Sequence, residues 1–128
     1  MVGSYIAIPD VRDSRMYDTD KRKLLSALCH GAIFFSTTLV SVGIPIFITF
    51  VTDDPVVREN AKESINFHIN VWVYGFIIGV LISMTWGVLV PVAGLGFLLH
   101  WALTLLALFY VLSDTAKPFR YPFIFRLV

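Results

Sequence analysis

The chain has 128 residues, which allow a single domain of ordinary size. Apolar residues make up 57% of it and charged residues only 15%, against about one quarter charged in soluble domains. The net charge of +1 gives no indication of nucleic-acid binding, and outside the short C-terminal tail the sequence has no basic stripe interleaved with aromatic residues. Because Cys29 is the only cysteine, an intrachain disulfide and a cysteine-based metal site are excluded.

The charged residues are confined to a few short segments. No Asp, Glu, Lys or Arg occurs in residues 24–52 or in residues 64–113. A small soluble protein could not hide such segments, because every surface helix needs a polar face. We therefore expect an all-α integral membrane protein with three to four hydrophobic helices. Residues 1–20 lack the apolar run of a signal peptide and are predicted to be a polar tail. The single helical membrane domain would then occupy residues 21–128.

The first apolar block, residues 24–52, is too long for one ordinary span and too short for two. Gly43–Pro45 stands in its middle and is a good place to break a helix. A broken pair, about 24–42 and 44–51, would put all ten basic residues on one side of the membrane. Because basic residues favour the cytoplasmic side, we expect this arrangement, with both termini cytoplasmic. A single long tilted helix, with five basic residues on each side, is the alternative.

The second block must turn back once, because fifty helical residues would extend about 75 Å, against about 30 Å of hydrocarbon. The breakers and the aromatic residue near Met84–Pro91 predict the turn, which gives a helical hairpin over residues 55–112. Asp54 followed by Pro55 is a typical helix start. Residues 56–63 would then form two wet turns before the bilayer.

Two polar side chains on the first helix of the hairpin stand out. Asn66 and Asn70 are four residues apart and share one helix face. Since amides facing lipid are costly, we expect this face to clamp another helix, with a substrate site as the alternative. Gly75 and Gly79 form a GxxxG spacing in the same helix, which suits close helix packing within the chain or between chains.

Three histidines lie in or beside the apolar blocks, where ionisable residues are candidates for function. His30 and His68 lie at similar predicted depth, as the two ligands of a haem would. His100 lies deeper; we expect a hydrogen bond to Ser36, Thr37 or Thr38, and the alternatives are axial ligation of haem or chlorophyll, or a proton relay. We expect no bound cofactor, with haem or chlorophyll as the alternative, and no metal site.

Residues 114–128 close the chain with basic and aromatic residues around two prolines, which rule out a regular helix. Arginine and aromatic residues suit an interfacial anchor on an anionic membrane surface. The alternative is that a protein partner docks on Arg120, Tyr121 and Pro122. We expect no nucleic-acid partner for this short segment.

Three segments together resemble the Tic20-like family of small membrane proteins. They are the run from Lys21 to His30, the run from Arg58 to Phe67, and the closing Arg120-Tyr-Pro-Phe. The resemblance covers residues 21–128 and implies an all-helical membrane domain related to a subunit of the chloroplast import translocon. His68 departs from the family, which favours Gln there.

The sequence contains no HExxH motif, Gly-rich phosphate loop, GxSxG motif or intramembrane acidic pair. We therefore expect no catalytic residues and no enzyme. The leading hypothesis is a multi-pass subunit that binds other integral membrane proteins or itself, for assembly, scaffolding or translocation. The alternatives are a haem- or chlorophyll-binding protein and a small transporter. The expected location is a bacterial inner membrane, or else a thylakoid or plastid membrane.

Overall fold

A computed structural model describes most of the chain, and every regular element in the described ranges is helical. Those ranges are 17–34, 39–114 and 116–128. The elements, in chain order, are α1 (Thr19–Gly31), a 3-10 turn (Ala32–Phe34), α2 (Leu39–Val51), α3 (Pro55–Met84) and α4 (Val90–Ser113). The four helices agree with the predicted all-α class. Of the predicted polar tail, only residues 17–20 are described; they include the N-cap of α1 and its first two residues.

The break in the first apolar block was predicted at Gly43–Pro45, and that position is wrong. Both residues lie within α2, and the interruption falls between Gly31 and Leu39. Proline removes one backbone hydrogen bond, but membrane helices tolerate it where neighbouring groups compensate, and Pro45 is buried. The alternative of one long tilted helix is wrong as well, because α1 and α2 are separate.

The predicted hairpin is confirmed as α3 and α4. The carboxylate of Asp54 accepts the backbone N–H groups of Val56 and Val57, so it caps α3 as expected. The turn between the helices covers residues 85–89. Its reversal requires left-handed backbone at Trp86 (φ 52°) and Gly87 (φ 87°), a conformation that glycine adopts without strain.

Both hairpin helices are long and apolar enough to cross a membrane. Only 17% of the most apolar window of each is buried, whereas the core helix of a soluble protein would be mostly covered. Helices α1 and α2 have 13 residues each, or about 20 Å, which is less than the ~30 Å of hydrocarbon. Among the described helices, α3 and α4 are therefore the two candidate membrane spans.

The packed core lies at the end of the molecule where α3 begins and α4 ends. One apolar cluster there includes Ile33, Phe67 and Tyr121, and a second includes Cys29 and Val57. Residues 56–63 were predicted to be wet turns, but most of them are buried in this core. The far halves of α3 and α4 instead project with their side chains largely exposed. The chain thus has a packed, charged end and a bare, uncharged end.

Candidate interaction site on helix α3 and the C-terminal tail

The C-terminal tail, residues 116–128, lies against one polar face of α3. It has no regular helix, as its prolines predicted. The backbone N–H of Phe119 donates to Asn60 Oδ1 (2.9 Å), and that of Tyr121 donates to Glu63 Oε1 (2.8 Å). Side chains of a helix therefore hold the tail by its backbone, without a β-ladder.

Asn66 and Asn70 continue this face of α3 and bind the end of the tail. Asn66 Oδ1 accepts the N–H of Leu127 (2.7 Å) and that of the next residue. Asn70 Oδ1 accepts the N–H of Phe125 (2.9 Å), while Asn70 Nδ2 donates to the Phe125 carbonyl (2.7 Å). Among the described residues, this face therefore contacts the tail, where a contact with another helix was predicted. The two amides form hydrogen bonds with backbone groups of the tail, and these groups have no partner within a helix.

Glu63 supplies the negative charge at the centre of the site and is 1% exposed. Arg126 makes a two-nitrogen contact with it, from Nη2 (2.7 Å) and Nε (3.1 Å). Arg120 approaches more loosely, at 3.6 Å, and its side chain stays 57% exposed. A carboxylate this deeply buried is stable only when it is paired and hydrogen-bonded, and the tail provides both.

Tyr121 was predicted to be a partner contact, but it is 1% exposed and forms part of the core. Its hydroxyl lies 2.9 Å from His30 Nδ1, and its ring stacks on Phe67 at 3.9 Å. Burial raises the pKa of the phenol, and the Glu63 carboxylate adds to the shift. The hydroxyl therefore stays protonated and can donate to His30. Of the predicted contact residues, Arg120 and Pro122 remain exposed.

Hydrogen bonds on both sides of the ring fix the tautomer of His30. Asn60 Oδ1 accepts the N–H of Phe119, and Asn60 Nδ2 donates to the Val56 carbonyl, so the amide orientation is determined. His30 Nε2, 2.9 Å from Oδ1, must then carry the proton, and Nδ1 accepts from Tyr121. Both nitrogens are engaged, so this arrangement leaves His30 no free nitrogen for haem iron, and the His30–His68 ligand pair is not formed.

His68 and His100 each keep one buried ring nitrogen without a hydrogen-bond partner among the described residues. His68 Nδ1 donates to the Ser64 carbonyl (2.7 Å), so its Nε2 presents a bare lone pair. His100 Nδ1 is the other such atom, and its ring stacks on Phe67 at 5.3 Å. The predicted partners of His100, residues 36–38, fall outside the described ranges.

Gly75 and Gly79 pack against nothing in the described structure. A Cβ added at either position would meet no atom within 4 Å. Gly79 and Phe76 help to line an open groove of about 360 Å³ on the outer surface of α3. Gly75 and Gly79 thus face away from the rest of the described chain.

Some of the polar residues that hold the charged end together were not predicted from the sequence, among them Asn60, Glu63 and Arg22. Arg22 Nε and Asp54 Oδ2 form a buried ion pair at 2.6 Å that ties α1 to the start of α3. The spacing of Asn60, Glu63, Asn66 and Asn70 at three and four residues was the available signal, because it puts them on one helix face. Among the described residues, no group of three or more His, Cys, Asp or Glu side chains could hold a metal ion.

Comparison with known proteins places this chain. No curated protein matches it, and no solved structure matches it. A family model described as the magnetosome magnetite crystal formation protein family, MamF/MmsF, matches residues 21–128. The expected kinship with the Tic20-like family is therefore wrong: the short segments that suggested it lie within the residues that the MamF/MmsF model covers. Since that match leaves out only the first twenty residues, the chain belongs to the MamF/MmsF magnetosome magnetite crystal formation family.

Proposed function

We propose that this chain is a non-enzymatic subunit of the magnetosome membrane that takes part in magnetite crystal formation by binding other proteins of that membrane. The family supports the process and the membrane. The hydrogen bonds of the buried polar side chains favour binding of proteins over catalysis. Glu63, His30 and Asn60 are all committed to holding the chain's own tail.

We favour protein binding over direct binding of iron by a loop, because of where the acidic residues lie. Iron sites are built from carboxylate, imidazole or thiolate ligands. Every Asp and Glu of the sequence lies in residues 10–63 or at Asp114, and none lies in residues 85–89, the turn that joins α3 to α4 at the uncharged end. Because basic residues favour the cytoplasmic side, the charged end would be cytoplasmic, and the hairpin turn at the uncharged end offers no carboxylate to a mineral.

The observation that carries the proposal is the bare face of α3 around Gly75 and Gly79. Glycines at this spacing let a second helix approach closely in a membrane, and no atom of the described residues lies within 4 Å of a Cβ added at either one. The neighbouring side chains Phe76 and Val80 are exposed and apolar. A membrane helix of a partner protein, or of another copy, would fit this surface.

Two matched variants test the proposal. In Gly79→Leu, the new side chain would enter the proposed contact surface, and its Cβ would meet no other described atom within 4 Å. Gly94→Leu is the control, because a Cβ at Gly94 also meets nothing within 4 Å but lies on α4. Each would be purified in mild detergent from magnetite-forming cells, with mass spectrometry of the co-purified proteins and electron microscopy of the crystals.

We expect the unaltered chain and Gly94→Leu to retain the same partner and to restore normal crystals in cells that lack the gene. Gly79→Leu should lose the partner and leave the crystals altered in size or number. Equal behaviour of the two variants, or an unaltered chain that is always isolated as a lone monomer, would contradict the proposal.

A second candidate, a haem- or chlorophyll-binding protein, rests on the unpartnered nitrogens of His68 and His100. Its test is the absorption spectrum of protein purified from its native membrane. A visible band that disappears in His100→Leu would support ligation by that residue. Colourless protein would dispose of this function and leave the first one untouched.

A further inference from the structure

The uncharged part of α3 provides a scale for depth in the membrane. It runs from Ser64 to Met84, which is about 31 Å of helix and matches the ~30 Å hydrocarbon layer. On this scale Glu63 lies at the edge of the hydrocarbon. Asn70 lies about 9 Å inside it and the backbone of Tyr74 about 15 Å inside, at ~1.5 Å per residue.

The hydrogen bonds show that the tail first runs to greater depth along α3 and then returns. The N–H of Tyr121 is at Glu63, at the edge. Two residues later the Phe123 carbonyl accepts from the hydroxyl of Tyr74 (3.4 Å), and Phe125 is then bound by Asn70. The chain returns towards the edge, where Leu127 and Val128 bind Asn66. Phe123 makes the reversal with left-handed backbone, φ 59°.

The side chains of this loop alternate between protein and the outside. Ile124 packs on the core, and Arg126 reaches back to Glu63, as long basic side chains do when they keep their charge at a membrane edge. Phe123 and Phe125 point outward and are 91% and 69% exposed. They lie at the level of the exposed apolar surface of α3, which the spanning helix presents to lipid.

Irregular backbone is stable in hydrocarbon only where the protein satisfies its polar groups. Here Asn70 binds both the N–H and the C=O of Phe125. Two amides at this depth are otherwise unexplained, because amides facing lipid are costly. Their partners are the backbone groups of the tail at the same depth.

We propose that residues 121–125 form a re-entrant segment that dips into the hydrocarbon layer, where Phe123 and Phe125 contact lipid acyl chains. The segment is thus a membrane-inserted anchor rather than one lying on the surface. This inference goes beyond the proposed function and does not depend on it, since it requires only that α3 and α4 cross the bilayer.

Spin labelling of the full chain in phosphatidylcholine vesicles tests the inference. Phe123→Cys would carry a nitroxide, and collisions with oxygen, which is concentrated in hydrocarbon, would be compared with collisions with a water-soluble nickel chelate. Lys117→Cys is the control for water, and Phe76→Cys, on the exposed surface of α3, is the control for lipid. Cys29 is fully buried, and the unaltered chain shows whether it takes up label.

We expect nickel collisions at residue 123 to fall to the level at residue 76, with oxygen collisions equally high. Nickel collisions as frequent as at residue 117 would overturn the inference, and so would a label that neither reagent reaches. Phe125→Cys gives the same readout if the first variant does not fold. Loss of protein partners in the experiments above would leave these collision rates unchanged.

Discussion

Glu63 is the carboxylate at which several polar contacts of the charged end meet. It accepts the backbone N–H of Tyr121 and pairs with Arg126 and Arg120. Glu63→Gln keeps the shape but removes the charge. Because both arginines are partly exposed, we expect a loss of about 1–3 kcal/mol, below the full cost of breaking a buried pair. The measurement is the thermal unfolding midpoint by circular dichroism in mild detergent.

Glu59→Gln is the matched control for that substitution. Glu59 pairs with Lys62 at 3.1 Å, but both side chains are more than a third exposed. Removal of such a surface pair should cost less than about 0.5 kcal/mol. If the two variants unfold at the same temperature, Glu63 does not have the central role that its contacts indicate.

The hydroxyl of Tyr121 is a second single-residue contribution. Tyr121→Phe keeps the stacking on Phe67 but leaves His30 Nδ1 buried without a donor. We expect a loss of about 1–2 kcal/mol in unfolding free energy. Tyr110→Phe is the control, because the Tyr110 ring contacts Phe119 and its hydroxyl makes no hydrogen bond to the described residues. An equal and small effect of both variants would contradict the assigned tautomer of His30.

At the scale of elements, the tail and α3 act as one unit. Asn70→Ala would remove both hydrogen bonds to Phe125 and leave that backbone unsatisfied. We expect the tail to detach more often, so that trypsin cuts after Arg120 and Arg126 sooner than in the unaltered chain. Electrophoresis and mass spectrometry of the fragments over time give the rates.

Ser83→Ala is the control for proteolysis. The Ser83 hydroxyl bonds only the Gly79 carbonyl in its own helix, so this variant should be cut at the rate of the unaltered chain. Unchanged cleavage of Asn70→Ala would show that the tail does not depend on the amides of α3.

The same elements show what the sequence could predict. The bounds of α3 follow from local signals, the Asp54–Pro55 start and the breakers after Met84, so the hairpin was predicted correctly. The break at Pro45 was predicted wrongly, because Pro45 lies on the buried face of α2, and packing of that face overrides a local helix breaker. The tail site joins residues 55 to 63 positions apart, and no local pattern gives such pairings; only the shared face of Asn66 and Asn70 pointed to it.

For the whole molecule, the main feature is the separation of charge. In the sequence all nineteen Lys, Arg, Asp and Glu side chains lie outside the two apolar blocks. In the structure those that are described gather where α1, the start of α3 and the tail meet, while the far ends of α3 and α4 carry none. A bilayer explains both facts, because charge inside the hydrocarbon is costly.

Cysteine labelling of the full chain in oriented membrane vesicles tests this arrangement most directly. Single cysteines would replace Lys62, Lys117 and Trp86, which is 96% exposed in the hairpin turn. An impermeant maleimide should label residues 62 and 117 from the same side and residue 86 only from the other. Labelling of residues 62 and 117 from opposite sides, or of all three from one side, would contradict the account.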